Sequence, residues 1–509
     1  VTEQPAPEGV VFPADGGRRS TSRTGQAVVA DAVRTYDPDL AARVEGLPDW
    51  RTGYLDPFRH LTLLEGAGPV EIASAGLDSV HARFVVDVGG KDLPLDVALG
   101  GGVADEERMP SIHTVVVEGR GAPVADGAGA GGLSVPYAGG RLAGDALGHR
   151  LDAWLAAGTV EPSFADAVRS VAAHPGWLDA RDLTVVVLGA GAEMGPLVSL
   201  LRWGAHVVAV DLPRPAIWRR LLEVARASPG RLSVPVSRWL PAGASDDEIA
   251  DAAGVDLLTQ APAVLGWLAR IEGPFTLGHY VYADGALHTR ASVAVDAVTA
   301  GLLAARDDVS LAFLATPTDA FLVPADAVED SRRRYADRTL LGRLGRVGSA
   351  GRLFTPNYDG VVDLPDGTPV GLNDSLVPQQ GPNYALAKRI QRWRAVQARA
   401  SGRLVSLNVA PATRTRSVMR NRVLAAAYAG AHRFGVEVFD PSTSNTLMAA
   451  LLVHDLRDPS AVANPAVDLA HPLEIVWQGA NHGGLWRTPW KPRSVLGIAV
   501  VLGMVQRGA

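Results

Sequence analysis

From about Leu183 the chain alternates apolar strands with helices. DLTVVVLGAGAEMG runs into a glycine-rich turn, PLVSLLRWG is a helical stretch stopped by Gly204, and AHVVAVD is a second apolar stretch ending on an acid. Strands that are continuously apolar, rather than alternating, must be covered on both faces, and successive ones joined through helices pair in parallel by right-handed crossovers. Further strands are expected at Leu232 to Val236, Val255 to Gln260 (VDLLTQ), Val309 to Ala315 and Arg403 to Pro411, with a long helix through ASVAVDAVTAGLLAAR before the third of these. This pattern predicts an α/β fold built on a doubly wound parallel sheet.

In such sheets a ligand sits beyond the carboxyl ends of the strands, where the first turn aims free backbone N–H groups at a pyrophosphate. LGAGAEMGP offers a Rossmann-like turn of this kind. Gly189 allows the tight exit from the strand, Gly191 lets the backbone approach the ligand, Gly195 permits close packing of helix on strand, and Met194 lies beside them. Asp211 ends the next strand 22 residues after Gly189, placed to accept hydrogen bonds from adenosine ribose hydroxyls and to repel a 2′-phosphate. NAD is therefore the expected cofactor. NADP stays a second candidate because Arg214, Arg219 and Arg220 follow closely.

Around this domain, residues 1–24 read as a flexible arm rich in Pro, Gly, Ser and Arg, and not as a signal peptide. Residues 25–148 form an accessory α+β region with strand-like pieces HARFVVDVGG and IHTVVVEGRG and a glycine-rich loop, ADGAGAGGLS. Residues 149–181 are a helical connector, and residues 182–509 the dinucleotide-binding domain. Zero Cys excludes disulfides, thiolate metal sites and a Cys nucleophile, and a net charge of −6 argues against nucleic acid as a partner. The His spacings match no metal motif, no G-x-S-x-G occurs, and no Walker A loop can be built on Lys91, Lys388 or Lys491. The longest apolar run, VLGIAVVLGMV (Val495 to Val505), is too short to span a bilayer. It reads as a buried strand or short helix, with peripheral membrane contact of the C-terminus, between Arg493 and Arg507, as the alternative. A cytoplasmic homo-oligomer is the expectation.

The sharpest chemical signal is GPNYALAKRIQRWRAVQARASG. Pro382 opens a helix that Gly402 ends, and the helix puts Tyr384 and Lys388 four residues apart on one face. A phenol that exchanges protons with an alcohol or carbonyl needs a pKa near neutrality, and a fixed ammonium nearby favours the phenolate. With nine Tyr and three Lys in the chain, a chance Tyr-x-x-x-Lys is about a one-in-twenty event.

At these residues the sequence resembles the short-chain dehydrogenase/reductase superfamily, whose Y-x-x-x-K motif matches Tyr384 and Lys388. The resemblance covers about residues 182 to 415. LGAGAEMG is similar to the family's glycine turn, with Glu193 where a Gly would stand. VDLLTQAPAV resembles the strand carrying N-N-A-G, which implies cofactor contacts at Gln260 and Ala261. VSLAFLAT is similar to the strand ending at the catalytic Ser, with Thr316 in its place. SLNVAPATRT resembles the segment after the sixth strand, which implies cofactor contacts at Pro411 and Thr415. Thr316 lies 68 residues before Tyr384, so 317–381 looks like an insertion, expected to act as a lid, that also offers Ser375 as a competing hydroxyl. No counterpart of the family's relay Asn is found. Near the C-terminus, His482, Trp486 and Trp490 either line a pocket or belong to an ordinary packed loop.

The resemblance implies an NAD(P)-dependent oxidoreductase interconverting a secondary alcohol and a ketone. Tyr384 would be the general acid/base, Lys388 would lower its pKa and hold the nicotinamide ribose, and Thr316 would orient the carbonyl. A bulky apolar substrate is suggested by the surround. A dehydratase or epimerase that retains NAD, and a non-catalytic dinucleotide-binding module, remain alternatives.

Overall fold

The computed structural model describes residues 8–100, 111–122 and 132–508. Its centre is a seven-stranded sheet: β1 (His113–Glu118), β2 (Thr184–Leu188), β3 (His206–Val210), β4 (Arg231–Val236), β5 (Phe275–His279), β6 (Val309–Ala315) and β7 (Val405–Val409). The spatial order is β7-β6-β5-β2-β3-β4-β1, with β2 to β7 parallel and β1 antiparallel at one edge. Adjacent valines of β2 and β3 point to opposite faces, and both faces are buried. Val186, Leu188, Val208 and Val210 pack with helices Ala286–Ala305 and Pro382–Ala400. Val185, Val187, Val207 and Ala209 pack with helices Leu197–Arg202 and Pro215–Arg226. The fold is thus mixed α/β around a mostly parallel sheet.

One expected strand is displaced. VDLLTQ is a turn, held by Val255 N–H to the Asp211 carbonyl, by the Asp256 carboxylate on Leu258 N–H and by Gln260 Oε1 on Asp256 N–H, and it leads into helix Ala261–Ala269. The strand between β2 and β6 is FTLGH, β5. Its Gly278 packs against Tyr280, whose ring would lie 2.3 Å from any Cβ there.

The N-terminal region is built into the same core. Within the expected arm, Gly9–Val11 pairs with Val85–Val88, which pairs in turn with Lys91–Pro94. Val10 N–H also bonds the Leu258 carbonyl at 2.9 Å. Ser20 caps helix Thr21–Val33. IHTVVVEGRG supplies β1, so the accessory region contributes an edge strand to the central sheet. Its helices Leu55–Glu65 and Pro69–Arg83 lie against Pro382–Ala400 and its surroundings. There Glu65, fully enclosed, accepts hydrogen bonds from Arg389, from Arg392 at 3.0 Å and from Trp393 Nε1 at 2.9 Å. Asp296 joins Arg394 (2.7 Å) to His81 (2.6 Å). Of the glycine-rich loop, residues 125–131 lie outside the described residues.

The stretch 317–381, expected as a lid, is itself folded. Ala320–Pro324, Pro369–Asp374 and Val362–Asp363 form an antiparallel sheet, accompanied by helices Ala325–Ala336 and Leu340–Gly348. Phe321, Val323 and Val370 enter the main core. VLGIAVVLGMV lies within helix Pro492–Gly508, packed closely on helix Arg422–Gly430: a Cβ on Gly503 would come 1.9 Å from the Ala426 carbonyl oxygen. Among the described residues no helix is long and apolar enough to cross a membrane.

Candidate active site

A cleft of about 2000 Å³ opens at the carboxyl ends of the parallel strands. Its floor at β2 is the glycine-rich turn. Gly189 has φ +86°, and a Cβ there would meet the Tyr280 backbone at 2.8 Å, so only glycine fits. Gly191 donates its N–H to Asp211 Oδ2 at 2.6 Å, and the Leu212 N–H binds Oδ1 at 2.8 Å. Burial raises the Asp211 pKa, opposed by these two hydrogen bonds and by Arg220 and Arg214. Arg220 closes the corner by donating to the Gly191 carbonyl at 2.8 Å. Gly195 is under no steric demand, since a Cβ there would meet ordinary contacts from 3.5 Å outward. The close packing expected at Gly195 is therefore absent, and Met194 lines the cleft beside it.

Glu193, the residue that departs from the glycine pattern, turns away from the floor. Its carboxylate accepts Arg416 Nε at 2.8 Å and the Arg416 N–H at 2.7 Å, bridging to the segment beyond β7. Pro411 and Thr415, in that same segment, line the cleft.

Tyr384, Lys388 and Thr316 all line the opposite part of the cleft. Gly381, with φ +78°, and Pro382 at the first turn launch the helix that carries the Tyr and Lys. Thr316 follows β6 directly, and its hydroxyl lies 3.0 Å from that of Thr318. Burial raises the Tyr384 pKa above the usual phenol value, while a hydrogen bond with Thr316 works against the rise. Burial thus outweighs whatever lowering Lys388 supplies; the Lys388 Nζ donates to Gln391 Oε1 at 3.1 Å and to the Leu314 carbonyl at 3.4 Å. Burial brings the Lys388 ammonium down to about 8, with Asp319 pulling the other way.

Three expected contacts fall elsewhere. Gln260 and Ala261 cap and begin a helix away from the cleft wall, as a consequence of the displaced strand. In their place the segment after β5 supplies Tyr280, Val281, Tyr282 and Ala283. Ser375 is fully buried on Asn373 Oδ1 at 2.7 Å and does not reach the cleft, which leaves Thr316 as the strand-end hydroxyl.

The structure also brings in groups that spacing did not reveal. Gln391 continues from Lys388 to Ser292 Oγ, 3.4 Å away on helix Ala286–Ala305. His288, one turn before Ser292, packs its ring 5.3 Å from Tyr384 and 5.3 Å from Tyr282. Burial, reinforced by Lys388, lowers its pKa to about 3, so the imidazole is neutral, and neither ring nitrogen has a protein partner. A lone His in an apolar helix gives no sequence signal for such a position. At the C-terminal side, Trp490 lines the cleft, whereas His482 and Trp486 are interior, with His482 Nε2 bonded to Glu161 at 2.9 Å. Among the described residues no cluster of three His, Asp or Glu could hold a metal ion.

No family model matches the chain, and no curated protein matches it.

Proposed function

We propose that the chain is an NAD(H)-dependent oxidoreductase of the short-chain dehydrogenase/reductase type that interconverts a secondary alcohol and a ketone. The observation that carries this reading is the meeting of Tyr384, Lys388 and Thr316 in the same cleft as the Gly189–Gly191 turn and Asp211. The strand order supports it: the six parallel strands, counted along the chain, run 3-2-1-4-5-6, the order of Rossmann sheets, with the cleft at their carboxyl ends. Gly189 and Gly191 keep side chains out of the turn, where a pyrophosphate would approach, and Asp211, which already accepts the Gly191 N–H, would face the ribose.

The dinucleotide, when bound, would supply the hydride acceptor or donor. The chain's own part would be as follows. Tyr384, its phenol kept protonated by burial, would donate its hydroxyl proton to the substrate oxygen in the direction of ketone reduction, and Thr316 would hold that oxygen through its hydroxyl. Lys388 presents an ammonium towards the nicotinamide ribose. Gln391 and Ser292 extend a polar chain from Lys388 into the interior, in place of the Asn absent from the sequence pattern.

The test is to screen secondary alcohols with NAD, following nicotinamide absorbance, in the parent chain and in Tyr384→Phe. The variant is expected to lose about a hundredfold or more in kcat while its NAD affinity by calorimetry stays within a factor of about two. An unchanged rate would remove Tyr384 from the chemistry. Tightly retained NAD with no net absorbance change would point to an epimerase or dehydratase, and no dinucleotide binding would overturn the reading.

A further inference from the structure

Helix Leu340–Gly348, LLGRLGRVG, turns an apolar stripe to solvent: Leu340, Leu344 and Val347 are 74%, 67% and 79% exposed. Their spacing of four and three residues places all three on one face, and Arg343 and Arg346 fall on its flank. Between Arg338 and Leu353 there are four arginines and no acid, in a chain whose net charge is −6. Arg343 and Arg346 reach only backbone carbonyls, at 3.3 and 3.4 Å, and among the described residues none of the four pairs with a carboxylate. The helix is fixed at the cleft mouth. A Cβ on Gly342 would touch the Trp490 ring at 3.0 Å, Gly345 lies against Phe354, and both Trp490 and Arg352 line the cleft. A second apolar face borders the same cleft. Helix Pro492–Gly508 sends Val495 and Ala499 inward and leaves Val501 and Val505 60% and 68% exposed.

We propose that this rim is a docking surface for an anionic lipid bilayer, with helix Leu340–Gly348 as the principal contact and the outer face of the C-terminal helix as the second. Charge decides between the occupants. In a two-fold contact of this face with its own copy, arginine would meet arginine, because the stretch from Arg338 to Leu353 carries no acid. Arginines beside exposed Leu and Val match an interfacial helix, whose apolar side chains enter the acyl boundary while the guanidinium groups reach lipid phosphates. The cleft mouth would then open at the membrane surface. The proposal does not depend on the chemistry assigned to Tyr384.

The test is co-sedimentation of the full chain with vesicles of phosphatidylcholine, with and without phosphatidylglycerol, at low and high salt. Binding is expected to phosphatidylglycerol vesicles and to weaken with salt. Arg343→Gln with Arg346→Gln should weaken it by about thirtyfold, two cationic contacts being lost. Leu344→Ser with Val347→Ser should abolish it. These side chains are exposed, so thermal midpoints should match the parent, and a matched midpoint shows that lost binding is not lost fold. Equal sedimentation of parent and variants, or no binding to either vesicle, overturns the proposal. So does a parent that is dimeric by sedimentation velocity, becomes monomeric in the Leu344→Ser, Val347→Ser variant and ignores vesicles, since the face would then join two copies.

Discussion

Glu193 of the glycine-rich turn and Arg416 beyond β7 clasp each other across the cleft mouth, side chain to side chain at 2.8 Å and backbone N–H to carboxylate at 2.7 Å. Both residues keep solvent contact, so the pair contributes under about 1 kcal/mol to stability. Its effect falls instead on whatever anion approaches the turn, because Arg416 neutralises a carboxylate that would repel a pyrophosphate. Glu193→Gln should tighten NAD binding about fivefold, and Arg416→Ala should weaken it by a similar factor. The double variant should fall near the parent. Calorimetric titration at fixed salt measures all three, and equal affinities throughout would mean that the dinucleotide lies away from Glu193.

Lys388 donates to Gln391 Oε1 at 3.1 Å, and a hydrogen bond accepted from an ammonium favours its charged form. With burial holding the ammonium down to about 8, loss of the 3.1 Å acceptor in Gln391→Leu should lower it further, and Gln391→Glu should raise it. If the ammonium holds the nicotinamide ribose, kcat/KM falls on the alkaline side as Lys388 deprotonates. That limb should move to lower pH in Gln391→Leu and to higher pH in Gln391→Glu. Displacement of both variants in one direction, or of neither, would separate Lys388 from the observed limb.

Much of this site was legible because its signals are local. Gly189, Asp211 and Thr316 each sit at a strand end that an apolar run announces, and Tyr384 and Lys388 share one helical face. What was illegible depends on tertiary context. FTLGH carries Thr276 and Gly278 and does not look like a central strand, although β2 and β6 flank it on both sides. VDLLTQ has the apolar run of a strand, yet its Asp256 and Gln260 hydrogen-bond locally and wind it into a turn. Ser375 had the right side chain in the right segment, but packing turned it inward. The exposed stripe of helix Leu340–Gly348 was hidden because a stripe read from sequence does not say whether it faces core or solvent.

The accessory region has an energetic role that its sequence did not disclose. Glu65 sits behind the Tyr384 helix with Arg389, Arg392 and Trp393 around it, all buried. Glu65→Ala leaves two enclosed guanidinium groups with Asp319, at 3.5 and 3.4 Å, as the one carboxylate near both among the described residues, and should cost about 3–5 kcal/mol. Urea unfolding measures this. A loss below about 1 kcal/mol would mean that water reaches the arginines once the carboxylate is gone.

The acid limb of stability should be set in part by Glu161. Burial alone would raise its pKa, but hydrogen bonds from His482 and Arg487 outweigh it and hold the carboxyl down to about 2, against 4.5 when unfolded. A depressed carboxyl pKa contributes stability that is complete above the unfolded value and is lost as pH falls from 4.5 towards 2, about 3 kcal/mol in all. His482 adds an earlier step. Burial lowers its pKa, so the unfolded chain takes up a proton first and stability begins to fall below 6.5. Glu161→Gln should therefore be less stable than the parent near neutrality, and the gap should narrow below pH 4.5, where the parent carboxylate begins to lose its advantage. Urea midpoints of the two proteins from about pH 7 down to about pH 3 check this, and a gap that stays constant would place the acid limb on other carboxylates.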